Sequence, residues 1–192
     1  MTPFGTSLRT EVGGVDLDTP VIVASGVWPM DPALWPEGSL DGVGAVCSKG
    51  LTLKPRDGNP GCRIVETYSG VLNSIGLQNS GVDHFVAQEL PALSFAGRPI
   101  IVNIAFETLD DLVEAVEVLK GSALKISALE LNVSCPNVSR GGMTWGIHPD
   151  SLESAVTAAR RAWDGILWVK LSPQAPSVGE FAELSQGCGA EA

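Results

Sequence analysis

Short runs of β-branched and aliphatic residues recur five times along this chain of 192 residues. The runs are continuous rather than alternating, which is typical of parallel strands that are buried on both faces of a sheet. They occupy residues 20–25, 45–49, 99–105, 129–133 and 166–171. The pattern therefore predicts a parallel sheet built from these five strands.

Between the last three runs, apolar residues recur at steps of three and four, as they do along one face of a helix. Residues 109–119 and 151–163 show this period, and a further helical pattern follows the fifth run in residues 179–192. Thr108 and Asp150 each precede acidic residues of a first turn and are the predicted N-caps. Repeated alternation of strand and helix predicts an α/β fold.

Each of the five runs has a polar residue at or near its carboxyl end. These residues are Ser25, Lys49, Asn103, Asn132 and Lys170. In a (β/α) barrel the active site is built at the carboxyl ends of the strands, while the other face serves stability. The distribution therefore predicts a barrel enzyme.

The connection between the second and third runs, residues 51–88, is unusually long and much of it is rich in Gly, Pro and Asn. We interpret it as a functional loop, because ordinary connections are far shorter. Gly70, Gly76 and Gly81 punctuate a mostly polar stretch that could bring backbone N–H groups close to a flat ligand. The alternative is a surface excursion without a function.

The stretch ELNVSCPNVSRGG, residues 130–142, begins like a buried strand and continues like a flexible loop. Asn132 and Asn137 each offer one carbonyl acceptor and two N–H donors, which suits both edges of an imide such as a pyrimidine ring. Cys135 lies between them and could transfer a proton, and Gly141 and Gly142 could let the loop hinge over a site. The alternative is that Cys135 is a small core residue.

Composition narrows the choice of partners. The formal charge is −10 with only 12 Lys and Arg in total, which disfavours nucleic acid. The first ten residues lack the apolar segment of a signal peptide, and no apolar run approaches the ~20 residues that span a bilayer. The four cysteines, Cys47, Cys62, Cys135 and Cys188, are scattered without metal-ligand spacing. We expect a soluble cytoplasmic protein without a metal site.

Five segments of the chain occur in the order of a known family and together cover nearly the whole chain. They are ASG at 24–26, SKGLTLKPRDGNPGCRIVETYSGVLNSIGLQNSGVD at 48–83, ELNVSCPN at 130–137, GGMTWGIHPD at 141–150 and VKLSP at 169–173. With these segments the chain resembles the catalytic subunit of the class 1 dihydroorotate dehydrogenases, especially the subclass that works with a separate electron-transfer subunit. The long central segment is the most specific of the five.

The resemblance implies an FMN-dependent (β/α)8 barrel that oxidises dihydroorotate to orotate in pyrimidine synthesis. It implies that Cys135 is the catalytic base. The implied FMN contacts are Ser25, Lys49, Gly50, Asn103, Asn132 and Lys170. The implied substrate contacts are Lys49, Asn73, Ser74, Ile75, Gly76, Leu77, Asn132 and Asn137.

The resemblance also implies partners. A second subunit would carry FAD and a [2Fe–2S] cluster and pass electrons to NAD, and the full-length protein would be a homodimer or a heterotetramer, with no nucleic-acid or membrane partner. Two positions depart from the family: Phe106, which could crowd the mouth of the barrel, and Gln174, where the family has Asn.

Length is the larger departure, because a barrel of this kind needs about 250 residues. We therefore expect one partial barrel domain over residues 1–192, with about the first five β/α units, and with unpaired outer edges on the first and fifth strands. Two alternatives stay open for the function. One is the related reduction of uracil or thymine, in which the family has His at the position of Asn137, and the other is a non-catalytic barrel fragment.

Overall fold

A computed structural model describes residues 7–134 and 145–192, and its centre is a parallel sheet. Its five strands are given next in their spatial order, and each is parallel to its neighbours. The bounds are β3 Ile22–Val23, β4 Ala45–Cys47, β7 Ile100–Ile104, β8 Ala128–Asn132 and β9 Leu167–Lys170. Each of the five predicted runs therefore contains a strand, and the parallel sheet is confirmed.

The two faces of this sheet bury different sets of side chains. Ile104, Leu129 and Leu131 point to one face and join the large core formed with the helices. Ile101 and Ala128 alternate with them and point to the other face. Successive residues of a strand thus serve two cores, which explains why the runs are continuously apolar.

We call the face with the helices the outer face and the face with Ile101 and Ala128 the inner face. An antiparallel hairpin covers the inner face at the amino-terminal ends of the strands. Its strands are β1 Thr10–Val12 and β2 Val15–Leu17. Val15 and Leu17 pack against the inner-face residues of the sheet, and the Trp168 indole N–H donates to the Gly13 carbonyl at 3.3 Å. The hairpin forms an apolar floor, so that end of the inner face is closed to solvent.

The outer face is covered by three helices, which follow β7, β8 and β9 along the chain. They are α3 Leu109–Lys120, α4 Pro149–Ala162 and α5 Val178–Gly187. Thr108 caps α3 as predicted: its hydroxyl accepts from the Asp111 N–H at 3.1 Å, and the Asp111 carboxylate accepts from the Thr108 N–H at 3.2 Å. This reciprocal pair is a capping box.

The predicted N-cap at Asp150 is wrong. The cap of α4 is His148, and Asp150 lies inside the first turn. Pro149 explains the earlier start, because its fixed φ suits the first helical position and its missing N–H is not needed there. Asp150 still places a negative charge near the positive end of the helix dipole.

The long connection is only partly a loop, which corrects the sequence interpretation. It contains a second hairpin, β5 Ile64–Thr67 with β6 Gly70–Asn73, and it ends in a helical segment. That segment consists of α1 Val82–His84, a π-helical turn Phe85–Glu89 and α2 Leu90–Ser94. All eight hairpin residues are exposed, so they leave no alternation of apolar and polar positions that would have predicted strands.

Asn79 holds the return of this connection to the sheet. Its side-chain oxygen accepts from the Thr52 N–H at 3.1 Å and the Gly81 N–H at 2.9 Å. Its side-chain nitrogen donates to the Leu77 carbonyl at 2.7 Å and to the Thr52 hydroxyl at 2.9 Å. Its backbone also pairs with Arg56 in both directions. The Asn79 carboxamide therefore supplies hydrogen-bond partners to backbone groups that would otherwise have none in this irregular segment.

The outer edge of the fifth strand is not left unpaired, contrary to the expectation. The Glu191 N–H donates to the Leu167 carbonyl and the Val169 N–H donates to the Ala192 carbonyl, both at 2.8 Å. The sheet is open within residues 7–134 and 145–192, where five strands form its whole width. In the same ranges, no helix combines the length and the apolar character that a membrane crossing requires.

We predict that Thr108→Ala lowers the free energy of unfolding by about 1 kcal/mol, because it removes the acceptor of the capping box. Denaturant titration followed by far-ultraviolet circular dichroism measures this loss. Thr157→Ala, within α4, is the matched control and should change the same quantity by less than about 0.5 kcal/mol. Equal losses for the two variants would contradict a specific role of the cap.

We predict that Asn79→Ala destabilises the chain by about 2 kcal/mol or more, because it leaves the buried N–H groups of Thr52 and Gly81 without their acceptor. Asn79→Asp keeps that acceptor and should be milder. Limited proteolysis should also cut the connection faster in Asn79→Ala. Asn59→Ala, an exposed change in the same connection, is the control, and a similar effect there would refute the role of Asn79.

Candidate active site

Four of the predicted residues meet at the carboxyl edge of the sheet. Asn103 lies in β7, Asn132 and Lys170 end β8 and β9, and Lys49 follows β4 by two residues. Asn132 and Lys170 are register partners on adjacent strands. Because the strands are parallel, their carboxyl ends share one edge, and the sequence prediction of a common site there agrees with this placement.

Hydrogen bonds join the polar side chains of β7 and β8 into a chain. The Asn103 side-chain nitrogen donates to Glu130 Oε1, and the Asn132 side-chain nitrogen donates to Asn103 Oδ1 at 3.1 Å. Asn132 Oδ1 then accepts from the Ser134 N–H at 3.2 Å and from the Ser134 hydroxyl at 2.9 Å. The chain therefore runs from the interior of the sheet to the first residues after β8.

Cys47 ends β4, and Glu130 lies two residues before the end of β8. The Cys47 thiol donates to Glu130 Oε1 across 3.5 Å. Burial, and then the nearby Glu130 carboxylate, raise the pKa of Cys47 far above its usual range, and Lys170 opposes this shift only weakly. Cys47 therefore stays a neutral thiol and acts as a donor to the carboxylate.

A break in the pairing of β4 with β7 turns Lys49 toward this edge. The Ser48 N–H donates to the Ile101 carbonyl at 2.8 Å, but the next bond, to the Asn103 carbonyl, comes from Leu51 at 2.9 Å. A regular parallel ladder would use residue 50, so one extra residue is inserted. The Ser48 hydroxyl accepts from the Asn103 N–H at 3.0 Å and repairs the ladder. Bulges of this kind commonly redirect a side chain beside an active site.

Two glycines let polar side chains of the site lie close to the backbone. A Cβ at Gly50 would lie 2.9 Å from Asn103 Oδ1, and a Cβ at Gly26 would lie 3.0 Å from Lys49 Nζ. Any larger residue at Gly50 would displace the Asn103 carboxamide. Ser25, the remaining predicted residue of a strand end, is half-buried, and its backbone faces the Cys47 thiol.

A cavity of about 250 Å³ adjoins Lys49 on the side of the long connection. Met30, Leu51, Gln78, Asn79, Ser80 and Glu89 complete its lining. The Ser80 hydroxyl and Glu89 Oε2 are buried there without a hydrogen-bond partner among residues 7–134 and 145–192. Buried polar atoms usually have partners, so this cavity suits a polar ligand.

The predicted substrate stretch 73–77 reaches the site at its far end. A Cβ at Gly50 would lie 3.6 Å from Leu77 Cδ2, so Leu77 borders Asn103 and Asn132. Leu77 has φ of 54°, a strained value for a branched residue, and the Asn79 side chain holds its carbonyl. Asn73 lies at the exposed end of β6, and Ser74 bonds to Asn59 and Arg63.

Cys135 and Asn137, together with Gly141 and Gly142, lie outside the described residues. The described residues at both ends of this segment are held closely. A Cβ at Gly146 would lie 2.3 Å from the Val133 carbonyl oxygen, so only glycine allows this approach.

The expected crowding of the mouth by Phe106 is wrong. Its ring packs against Trp145, with centroids 5.1 Å apart, and belongs to the core on the helix side of the sheet. Phe106 follows β7 by two residues and continues the outward-facing alternation of Val102 and Ile104. Gln174 is exposed, and its backbone N–H donates to the Ser172 hydroxyl at 3.1 Å.

Sequence reasoning missed three residues of this site. Glu130 was quoted within a motif but received no role, and Ser48 and Met30 were not singled out. A signal for Glu130 did exist, since it stands two residues before Asn132 and must share its face of the strand. The Ser48 repair and the Lys49 N–H bond to Met30 Sδ, at 3.2 Å, depend on tertiary contacts that no local pattern reveals.

The donors and acceptors at this edge fit a flat heteroaromatic ring. Lys49 and Lys170 supply cationic donors, and Asn103 and Asn132 supply carboxamides that can donate or accept. The missing side chain of Gly50 lets its backbone lie close to the carboxamide pair. A flavin ring has carbonyl and nitrogen acceptors along one edge, so these residues are chemically suited to hold it.

Comparison with known sequences finds one matching family and several similar proteins. Residues 7–190 match the sequence model of the family described as dihydroorotate dehydrogenase. The chain is 40% identical over 186 residues to the protein named dihydroorotate dehydrogenase B (NAD(+)), catalytic subunit, of Thermoanaerobacter sp. (strain X514). It is 41% identical over 186 residues to the protein of that name from Trichlorobacter lovleyi and 42% identical over 175 residues to that from Geobacter sulfurreducens.

These alignments cover 97%, 97% and 91% of this chain, but only 61%, 61% and 57% of the respective relatives. The chain thus spans about three fifths of the length of the curated relatives that it matches. The family is flavin-dependent and has a TIM-barrel fold, of which the parallel sheet seen here is an open arc. The match over nearly all of the chain, together with the polar residues at the strand ends, shows that it belongs to the dihydroorotate dehydrogenase family.

Proposed function

We propose that this chain forms the part of a dihydroorotate dehydrogenase that holds FMN and the substrate, and that the reaction is the oxidation of dihydroorotate to orotate in pyrimidine biosynthesis. The observation that carries the proposal is the convergence of Lys49, Asn103, Asn132 and Lys170 at one edge of the sheet, in a chain that belongs to this family. The whole barrel is the unit that performs the reaction.

The chemistry that FMN would supply, when bound, is an acceptor for the hydride that leaves C6 of dihydroorotate. Ser25, Lys49, Gly50, Asn103, Asn132 and Lys170 would hold FMN. Lys170 would place a positive charge beside the position at which negative charge develops, which lowers the barrier in the manner of an oxyanion hole. Lys170 ends β9, so the strand fixes its backbone at this edge.

The substrate has a carboxylate and an imide, and the proposed contacts match both groups. Lys49 would attract the carboxylate, while Asn132 and Asn137 would pair with the donors and acceptors of the imide. Residues 73–77 would close the site from the side of the long connection. The carboxamide of Asn132 is nine-tenths buried, so little water competes for its hydrogen bonds.

Cys135 is the proposed base, and it would remove the proton from C5 of the ring. The proposal rests on the sequence ELNVSCPN, because this residue lies outside the described ranges. A thiol is suited to this step, because its ordinary pKa lies much closer to neutral pH than that of a hydroxyl. Gly146 packs closely against the Val133 carbonyl oxygen, so the described residues on both sides of Cys135 lie together near the end of β8.

The names of the relatives include the words catalytic subunit, so those proteins work with another subunit. We propose the same for this protein: a flavoprotein subunit with FAD and a [2Fe–2S] cluster would pass electrons to NAD, in a homodimeric or heterotetrameric assembly. The scattered cysteines support a reducing cytoplasm as its compartment.

A direct comparison of two substrates tests the proposed function. In the whole barrel, with FMN in excess and without oxygen, dihydroorotate should bleach the visible flavin absorbance, and dihydrouracil should not. Faster bleaching by dihydrouracil would favour the related reduction of uracil and thymine. If neither compound bleaches the flavin and orotate does not bind in calorimetry, the chain is a non-catalytic barrel fragment and the proposal fails.

We predict that Cys135→Ser slows flavin bleaching by dihydroorotate by roughly 10²–10⁴-fold, because it removes the general base, and that FMN affinity stays nearly unchanged. Stopped-flow absorbance measures the rate, and flavin fluorescence measures the affinity. The matched control is Cys62→Ser, which replaces an exposed thiol and should leave both quantities unchanged. An unchanged rate in Cys135→Ser would remove this residue from the mechanism.

A further inference from the structure

Glu130 is a carboxylate inside the site to which the proposed function assigns no role. It occupies the middle of β8, on the face that Ala128 and Asn132 share, and its register partners are Asn103 on β7 and Trp168 on β9. Trp168 packs in the apolar cluster that the hairpin β1–β2 forms with the inner face, whereas Asn103 belongs to the polar carboxyl edge. Glu130 therefore marks the boundary between the two layers of the inner face.

The chemistry of an ionised carboxylate fixes the direction of its neighbours. Its oxygens can only accept, so the edge of Asn103 that faces Glu130 must be the N–H edge. The carbonyl oxygen of Asn103 then faces Asn132, which must present its own N–H edge at 3.1 Å. Without an anion at one end, the direction of these bonds would depend on the Ser134 N–H at the other end alone.

The same direction reaches the segment that follows the strand. Because the nitrogen of Asn132 is committed to Asn103, its oxygen faces outward and accepts from the N–H and the hydroxyl of Ser134. A backbone N–H can only donate, so Ser134 requires the same orientation of Asn132 as Glu130 does. The orientation is thus determined from both sides by groups that cannot exchange roles.

Cys47 also donates to Glu130, from β4, the strand beyond β7 in the sheet. Its thiol approaches Glu130 Oε1 at 3.5 Å, and the surrounding burial keeps it protonated, so it too donates to the carboxylate. Oε1 therefore receives one donor from β4 and one from β7, across two neighbouring strands of the sheet. A carboxylate oxygen that accepts from two donors has little freedom to turn away from Asn103.

We propose that Glu130 is a positioning residue, which fixes the orientation of the Asn103 and Asn132 carboxamides and so decides which of their atoms meet a ligand. A wrong orientation would present donors where the ligand needs acceptors, although the same residues would be present. The identity of the ligand rests on the proposed function, whereas the orienting role rests on the hydrogen bonds alone.

The test follows the side-chain amide signals of Asn103 and Asn132 and the backbone signal of Ser134 by NMR of the ¹⁵N-labelled chain. In the unmodified chain we expect one set of signals, with one Asn103 amide proton shifted downfield by its bond to a carboxylate. Glu130→Gln has the same shape but can donate or accept. It should abolish that downfield shift and give shifted or doubled signals for Asn132 and Ser134.

Two further variants separate orientation from simple loss of stability. Glu130→Asp keeps an acceptor that cannot donate and should restore a single set of signals. Glu107→Gln, a carboxylate that pairs with Arg56 away from the strand ends, should leave all three residues unchanged. A purely stabilising role would lower the unfolding midpoint of Glu130→Gln while the signals of its folded form stay as they were, and that result would overturn the proposal.

If Glu130→Gln does not fold, the double variant Asn103→Asp/Glu130→Gln decides. The new glutamine can donate to the new aspartate, which still accepts from Asn132, so the direction of the chain is restored. Recovery of a folded spectrum with one Asn132 signal supports the proposal, and a chain that stays unfolded overturns it.

Orotate affinity gives a second readout that distinguishes this proposal from the proposed function. Calorimetry should show binding that is about tenfold weaker in Glu130→Gln than in the unmodified chain, and no change in Glu107→Gln. If the unmodified chain does not bind orotate, the proposed function fails, and the amide signals still decide the role of Glu130. Unchanged orotate affinity together with unchanged amide signals would refute the orienting role.

Discussion

Parallel pairing of neighbouring strands is the constraint on which the rest of this structure depends. It brings the carboxyl ends of β4, β7, β8 and β9 to one edge, and its register sets Asn103 opposite Glu130 and Asn132 opposite Lys170. Residues that are about 30 positions apart in the chain become hydrogen-bonding neighbours only through this register. The site would not exist in any of the separate segments.

The inner face changes character along the strands, and this change gives the site its chemistry. Val15, Leu17 and Trp168 close one end with apolar contacts, so polar groups above them are shielded from water on that side. Electrostatic interactions and hydrogen bonds are stronger in such an environment, but every buried polar group must then find a partner. Glu130 meets this requirement by accepting from Asn103 and Cys47.

Irregular backbone supplies what the regular sheet cannot. The extra residue between Ser48 and Leu51 interrupts the ladder of β4 with β7, and Gly50 within this break lies against the carboxamides. The long connection returns to the same place because Asn79 replaces its missing backbone partners and holds Leu77 in a strained conformation. Rigid strands and a pinned connection thus meet around one polar edge.

The sequence by itself determined the strands, the principal helices and the edge of the sheet at which polar residues gather. These features depend on local periodicity and on the residue at each strand end, so residues 99–105 and 109–119 revealed β7 and α3 without knowledge of the rest. The motifs also indicated the family, because SKGLTLKPRDGNPG and ELNVSCPN are long and specific.

Only the tertiary structure decided how these parts meet. The exposed hairpin β5–β6 has no buried apolar face that a pattern could reveal. The role of Glu130 depends on a strand register that the separate segments do not encode, since hydrogen-bond direction is defined only between neighbours in space. Periodicity therefore predicts which face a residue occupies, whereas the packed sheet decides which atoms it meets.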